Sequence, residues 1–113
     1  MFIVDSHCHL DGLDYEKNHH DLDDVIAKAA ARDVRFMLAI ATTLPGFSTL
    51  KALVGDRENI ALSCGVHPLN QEAPYDVELF RRLAADPQVI ALGETGLDYY
   101  YQQETKAQQQ DSF

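Results

Sequence analysis

Residues 3–12 read IVDSHCHLDG, and this stretch decides how the rest of the chain is read. A regular strand turns alternate side chains to one face, about 6.5 Å apart. Asp5, His7 and His9 would then share a side, with Cys8 facing the other way. Two imidazoles so placed have two readings. One is a polar edge strand with solvated rings; the other is a pair of ligands for a borderline divalent ion such as Zn²⁺ or Mn²⁺. The pair alone does not choose between them.

Outward from this strand, short apolar runs alternate with helical patterns. FIVDSHCH (2–9) is the first strand. DLDDVIAKAAARD (21–33) sets Leu22, Val25, Ile26, Ala29 and Ala30 on one helical stripe, with Asp21 as its cap. RFMLAIATT (35–43) reads as a strand buried on both faces, after which Pro45 and Gly46 punctuate the chain. FSTLKALVGD (47–56) repeats the helical spacing through Phe47, Leu50, Leu53 and Val54, and Gly55 ends it. NIALSCGVHP (59–68) is a third strand. DVELFRRLAAD (76–86) is a third helix, capped by Asp76, with Leu79, Phe80, Leu83 and Ala84 as its buried stripe. QVIALGETG (88–96) is a fourth strand, and QQETKAQQQDSF (102–113) opens another helix.

Strands alternating with helices across short connections predict an α/β fold with a parallel sheet. Four such strands leave apolar edges, which parallel sheets normally cover or close into a barrel. The last helical pattern reaches Phe113 without a stop signal. Residues 1–113 are therefore expected to be a single partial domain.

Composition narrows the function. The formal net charge is −9, and seven acids fall within the first 24 residues. Such a field does not gather nucleic acid by bulk attraction. A nucleic-acid substrate would need a local positive patch, part of which bound metal supplies. No apolar run approaches the ~20 residues of a membrane helix. MFIVDSHCHL lacks a basic leader, so a cytoplasmic location is expected. Cys8 and Cys64 are expected to be buried, reduced thiols.

Four polar residues that interrupt the apolar strands lie at their carboxyl ends. His7 and His9 end the first strand, His67 the third and Glu94 the fourth. That is the end at which parallel α/β sheets and (β/α)8 barrels place their sites. Asp5 is placed either to orient an imidazole or simply to begin the strand. His19 and His20 belong to a solvated loop. Lys51, Arg57, Arg81 and Arg82 belong to solvated helix faces. Asp98 and Tyr99, in GLDYYY, stand where a loop could meet a substrate.

Taken together, VDSHCHLDG, GVHP and ALGETGLDYY resemble the TatD family of metal-dependent deoxyribonucleases, in its YcfH-like branch. The likeness runs over the whole chain. It implies the N-terminal half of a distorted TIM barrel, about four βα units, and hydrolysis of DNA phosphodiester bonds with two divalent cations (Zn, Mg or Mn). By the same likeness, His7 and His9 match ligands of one ion and Glu94 matches the carboxylate that bridges both. His67 matches a histidine near the site, and is expected with Asp98 and Tyr99 on the substrate side. The second histidine that many relatives carry just after this element is replaced here by Leu69 and Asn70. Two more histidines and a catalytic aspartate lie beyond the fourth strand in the family, so little or no turnover is expected of this chain alone. Two alternatives remain: an amidohydrolase-like enzyme for small cyclic amides or lactones, and an inactive metal-binding remnant. Self-association, or pairing with a complementary half, is expected to cover the open strand edges.

Overall fold

A computed structural model describes residues 1–71 and 74–113. Strands β1 (Ile3–Cys8), β2 (Val34–Ala39), β3 (Ile60–Cys64) and β4 (Val89–Leu92) form one parallel sheet in the order β1-β2-β3-β4. Helices α1 (Leu22–Ala30), α2 (Leu44–Val54) and α3 (Val77–Ala84) make the three crossovers, and α4 (Lys106–Ser112) follows β4. Each new strand adds on the same side of the last. A βα barrel is laid down in this way, whereas a doubly wound sheet reverses its order.

Each crossover helix starts on a side chain that satisfies an otherwise unpaired N–H. Asp21 accepts from the amide of Asp24, Thr43 from Gly46 and Asp76 from Leu79. Caps of this kind stabilise a helix by about 1 kcal/mol each. α2 begins earlier than the sequence pattern predicts. Pro45 and Gly46 lie within its first turn rather than before it, because a proline there gives up only an N–H that has no partner inside the helix. Gly55 ends the helix at φ 60°, a conformation that favours glycine.

One core forms where the helices meet the sheet. Phe47, Leu50 and Val54 of α2 pack with Leu22 and Val25 of α1 against Met37, Ala39, Ile60, Leu62 and Cys64. Two burial expectations need correction. β2 is not buried on both faces: Met37 and Ala39 are buried, but Phe36 and Leu38 are only half-buried. The large side chains on the face away from the helices stand partly in solvent, while Ala61 and Ser63 beside them are small enough to be covered. In α3 the stripe of Leu79, Phe80, Leu83 and Ala84 is half-buried, because that helix packs mainly on α2 and β3. Arg57 is also more than solvated charge. It donates to the Leu53 and Val54 carbonyls at the end of α2 and pairs with Asp23 at 2.9 Å, tying α2 to α1.

The outer strands leave apolar surface uncovered, with Ile3 and Val4 on β1 about half exposed and Ile90 and Leu92 on β4 about two-thirds. No described helix is long and apolar enough to cross a membrane.

Candidate metal centre

β1 departs from the regular alternation. Asp5 lies opposite Met37 and Cys8 opposite Ala39, so three steps along β1 match two along β2. The extra residue is a bulge, a device that re-aims side chains beside functional sites. Cys8 turns to the core, with Sγ 3.4 Å from the Leu38 carbonyl. His7 stays at the open end of the sheet. Asp5 turns its carboxylate to the His7 main-chain N–H at 3.1 Å, not to an imidazole, so its orienting role is not realised here. His9 stands just past the strand, where a 3-10 turn (Leu10–Gly12) begins and the Gly12 N–H returns to the His9 carbonyl at 3.0 Å. Leu10, 2% exposed, anchors that turn.

The remaining strand ends are joined by backbone hydrogen bonds. Ile40 donates to the Cys8 carbonyl at 2.9 Å, Glu94 to Ala41 at 3.0 Å, His67 to Thr42 at 2.8 Å and Gly93 to Cys64 at 2.9 Å. The buried Ser63 hydroxyl accepts from the Ala41 amide. Gly65 lies hard against Gly93: a Cβ there would stand 2.7 Å from Gly93 backbone carbons. The absence of that methyl lets the ends of β3 and β4 meet and delivers Glu94 to the mouth of the sheet.

Three imidazoles surround the Glu94 carboxylate. Nε2 of His7 is 3.3 Å and Nε2 of His9 3.7 Å from Oε2, while Nε2 of His67 is 3.4 Å from Oε1. The His7 and His9 rings meet edge to face, with centroids 5.1 Å apart. These N···O separations are long for hydrogen bonds. They suit a coordination shell, in which two ligands each 2.0–2.1 Å from a tetrahedral ion sit about 3.3 Å apart. Donor atoms of His7, His9 and Glu94 all fall within 4.8 Å of one another, and they are the one such grouping among the described residues. Two neutral nitrogens and one carboxylate oxygen are a donor set that Zn²⁺ or Mn²⁺ accepts. The donor types therefore fit, and the three side chains converge on one spot.

His67 is joined to the cluster differently. Its Nδ1 accepts the Leu69 N–H at 3.0 Å, which in the neutral ring leaves the proton on Nε2. Asp98 and Tyr99 are engaged within their own loop. Asp98 Oδ1 accepts from the Tyr100 and Tyr101 amides. The Tyr99 hydroxyl accepts from Gln110, and its ring lies under Lys106 at 4.5 Å. His20 is exposed as expected, but His19 is half-buried, edge-on to Tyr15. Burial, and secondarily the Asp5 carboxylate, pushes the Cys8 thiol up to about 12, and burial also raises Cys64.

Sequence reasoning missed Gln109, which is 0% exposed. Its amide accepts the Asp98 N–H at 2.7 Å and reaches the Asp98 and Gln102 carbonyls, so it clamps the loop after Glu94. Nothing in the run Gln108–Gln110 marks the middle residue as the buried one.

Comparison with known proteins agrees with this architecture. The family described as TatD related DNase matches residues 4–113. A protein described as "Uncharacterized metal-dependent hydrolase YcfH", from Escherichia coli K12, is 71% identical over 113 residues, covering all of this chain and 43% of that protein. The "3'-5' ssDNA/RNA exonuclease TatD" of Klebsiella pneumoniae is 34% identical over 95 residues, 82% of this chain and 36% of that one. In structure, the Escherichia coli TatD homologue YjjV superposes with a TM-score of 0.79 at 26% identity, covering 96% of this chain and 42% of that one. The four-stranded sheet is thus half of a TatD-type barrel. The chain spans less than half the length of the curated relatives it matches.

Proposed function

Because the chain belongs to the TatD-related DNase family of metal-dependent hydrolases, we propose that His7, His9 and Glu94 are its share of a centre that hydrolyses DNA phosphodiester bonds with divalent cations. The convergence of these three donors within 4.8 Å carries the reading. The exonuclease name of the Klebsiella relative supports nucleic acid as the substrate class.

His7 and His9 offer Nε2 lone pairs from the end of β1, and Glu94 Oε2 completes three sides of a shell. Divalent ions bound there supply an acidified water and offset charge building on a phosphoryl group. The carboxylate's second oxygen faces His67, so Glu94 has a side turned each way. Three donors suffice for one ion, and a pair of ions needs further ligands than those the described residues bring together. Asp98 uses one carboxylate oxygen to fix the loop beside the site, which leaves it and Tyr99 on the substrate side. With a net charge of −9, DNA would be met at the site by ions held on His7, His9 and Glu94, not by a basic surface. No lysine contacts Glu94 among the described residues, which argues against small-molecule amidohydrolases that bridge their metals with a modified lysine.

Titration calorimetry with Zn²⁺ and Mn²⁺ tests the centre. One ion per chain is expected, with uptake lost in Glu94→Ala and in His7→Ala. Because little or no turnover is expected of this chain alone, metal-dependent binding of end-labelled single- and double-stranded DNA, with a cyclic amide as comparison, tests the substrate. DNA cleavage that persists unchanged in Glu94→Ala refutes the proposal.

A further inference from the structure

The loop that leads from Glu94 to α4 keeps two large rings in the open. Tyr100 is 84% exposed and Tyr101 72%, whereas Tyr15, Tyr75 and Tyr99 are half-buried. A single exposed ring is ordinary, but these two touch and make a patch. Their centroids lie 4.8 Å apart with the planes at 89°. The backbone behind them is held firmly. Asp98 Oδ1 accepts the Tyr100 amide at 3.0 Å and the Tyr101 amide at 3.1 Å, and the buried Gln109 fixes Asp98 in turn. On the same helix the Ser112 hydroxyl accepts the Gln71 side-chain amide at 3.0 Å, and that nitrogen also donates to the His67 carbonyl at 3.2 Å. Hydrogen bonds therefore run from the tyrosine backbone through α4 to His67, beside Glu94. Along the chain Tyr100 is only six residues beyond Glu94, a reach of at most about 20 Å.

The geometry points to Tyr100 and Tyr101 as a stacking platform for the unpaired bases of a nucleic-acid strand whose phosphates meet the proposed metal centre. The identity of this ligand rests on the nuclease reading, and the test separates the two. Stacking on an aromatic ring needs no positive charge and accepts any base, because every base has a π-face. That suits a chain of net charge −9. Lys106 is the one basic residue after Glu94, and it is already turned onto the Tyr99 ring at 4.5 Å. Rings fixed before binding lose little freedom when a base arrives, so more of the contact energy is kept. With their planes at 89° no single base lies flat on both rings, and each ring takes a base of its own. Bases inside a duplex stack on one another instead, so the platform serves single strands or frayed ends.

Binding of two labelled strands to the 113-residue chain tests the platform. One is a short oligothymidylate; the other is an abasic strand of equal length, which keeps every phosphate but carries no base. With Mn²⁺ present, the chain should hold the oligothymidylate at least about fivefold more tightly, the lower bound for one stacked base. Replacing both rings, Tyr100→Ala with Tyr101→Ala, should bring the ratio close to one. Tyr100→Phe with Tyr101→Phe should keep it, since the ring stacks and the hydroxyl does not. Glu94→Ala should weaken both strands alike and leave the ratio standing. A ratio that persists while neither chelation nor Glu94→Ala alters either strand refutes the metal centre and supports the platform. A parent chain that does not distinguish the two strands overturns the proposal. Alanine variants that keep the ratio overturn it as well, and a lower light-scattering mass in those variants would then assign the rings to contact between copies of the chain.

Discussion

Gly65→Ala offers the sharpest test of how the sheet builds the site. The new methyl would stand 2.7 Å from the Gly93 C and Cα atoms and 2.9 Å from its oxygen. Carbon–carbon contacts become comfortable only near 3.5 Å, so the ends of β3 and β4 must part by roughly 0.8 Å. The obstacle is backbone on both sides, and no rotamer change relieves it. Overpacking of this kind costs about 1–3 kcal/mol, and weakening the Gly93–Cys64 hydrogen bond costs about another 1 kcal/mol, for a total of about 2–4 kcal/mol. In urea unfolding, the midpoint should fall by roughly 1–3 M at the slopes usual for small domains. Glu94 follows Gly93 directly, and metal–ligand distances tolerate only about ±0.2 Å, so Zn²⁺ binding should weaken more than about tenfold even where the variant is folded. Gly12→Ala is the matched control, since its Cβ would meet only His9 Cβ at an ordinary 3.8 Å. A Gly65→Ala chain with the parent's midpoint and Zn²⁺ affinity would show that the two strand ends do not meet as described.

Other perturbations probe the same construction. Gln109→Leu strands the buried partners of the clamp, which should cost about 1–3 kcal/mol; hydrogen exchange should show the Asp98 amide losing protection while the β3 amides keep theirs. Both thiols are raised above their ordinary value of 9 by burial, Cys8 to about 12. As pH climbs past 9 the unfolded chain therefore loses these protons first, and stability should decline toward pH 12; urea midpoints at pH 8 and pH 10.5 should differ less in Cys8→Ala than in the parent, and equal differences would count against it. The half-exposed β1 edge and the β4 edge should drive self-association, so light scattering should give a mass above the 12.7 kDa monomer. Ile90→Lys should reduce that mass, and a strictly monomeric parent would refute the edge reading.

Local signals in the sequence correspond closely to what forms. Asp21 and Asp76 cap the helices they were expected to cap, and Gly55 ends α2 with a positive φ. Each is a short-range effect, settled within a turn of chain. The placement of His7, His9, His67 and Glu94 at one end of the sheet was also legible, because parallel topology aligns strand ends. The partner of Asp5 was not. Strict alternation puts it beside the imidazoles, but the register is irregular between Asp5 and Cys8 and its carboxylate takes the His7 main-chain N–H. Gln109 was hidden for a similar reason, since its burial is decided by a loop that folds over it from residues 98–105.

β2 supplies none of the candidate ligands, yet the segment just after it governs where they sit. The Ile40 amide takes the Cys8 carbonyl between the two histidines, the Ala41 carbonyl takes the Glu94 amide, and the Thr42 carbonyl takes the His67 amide. Three consecutive residues thus fix all three strand ends through main-chain groups alone. Side-chain chemistry at these positions is nearly silent, which is why AIATT reads in sequence as ordinary strand. What matters is the spacing. Inserting or deleting a residue there would leave every ligand present and shift the partners by a full backbone step of about 3.3 Å, far more than a coordination shell absorbs. The proposed metal centre is in this sense a property of backbone register, with the histidines and Glu94 as the groups that register presents.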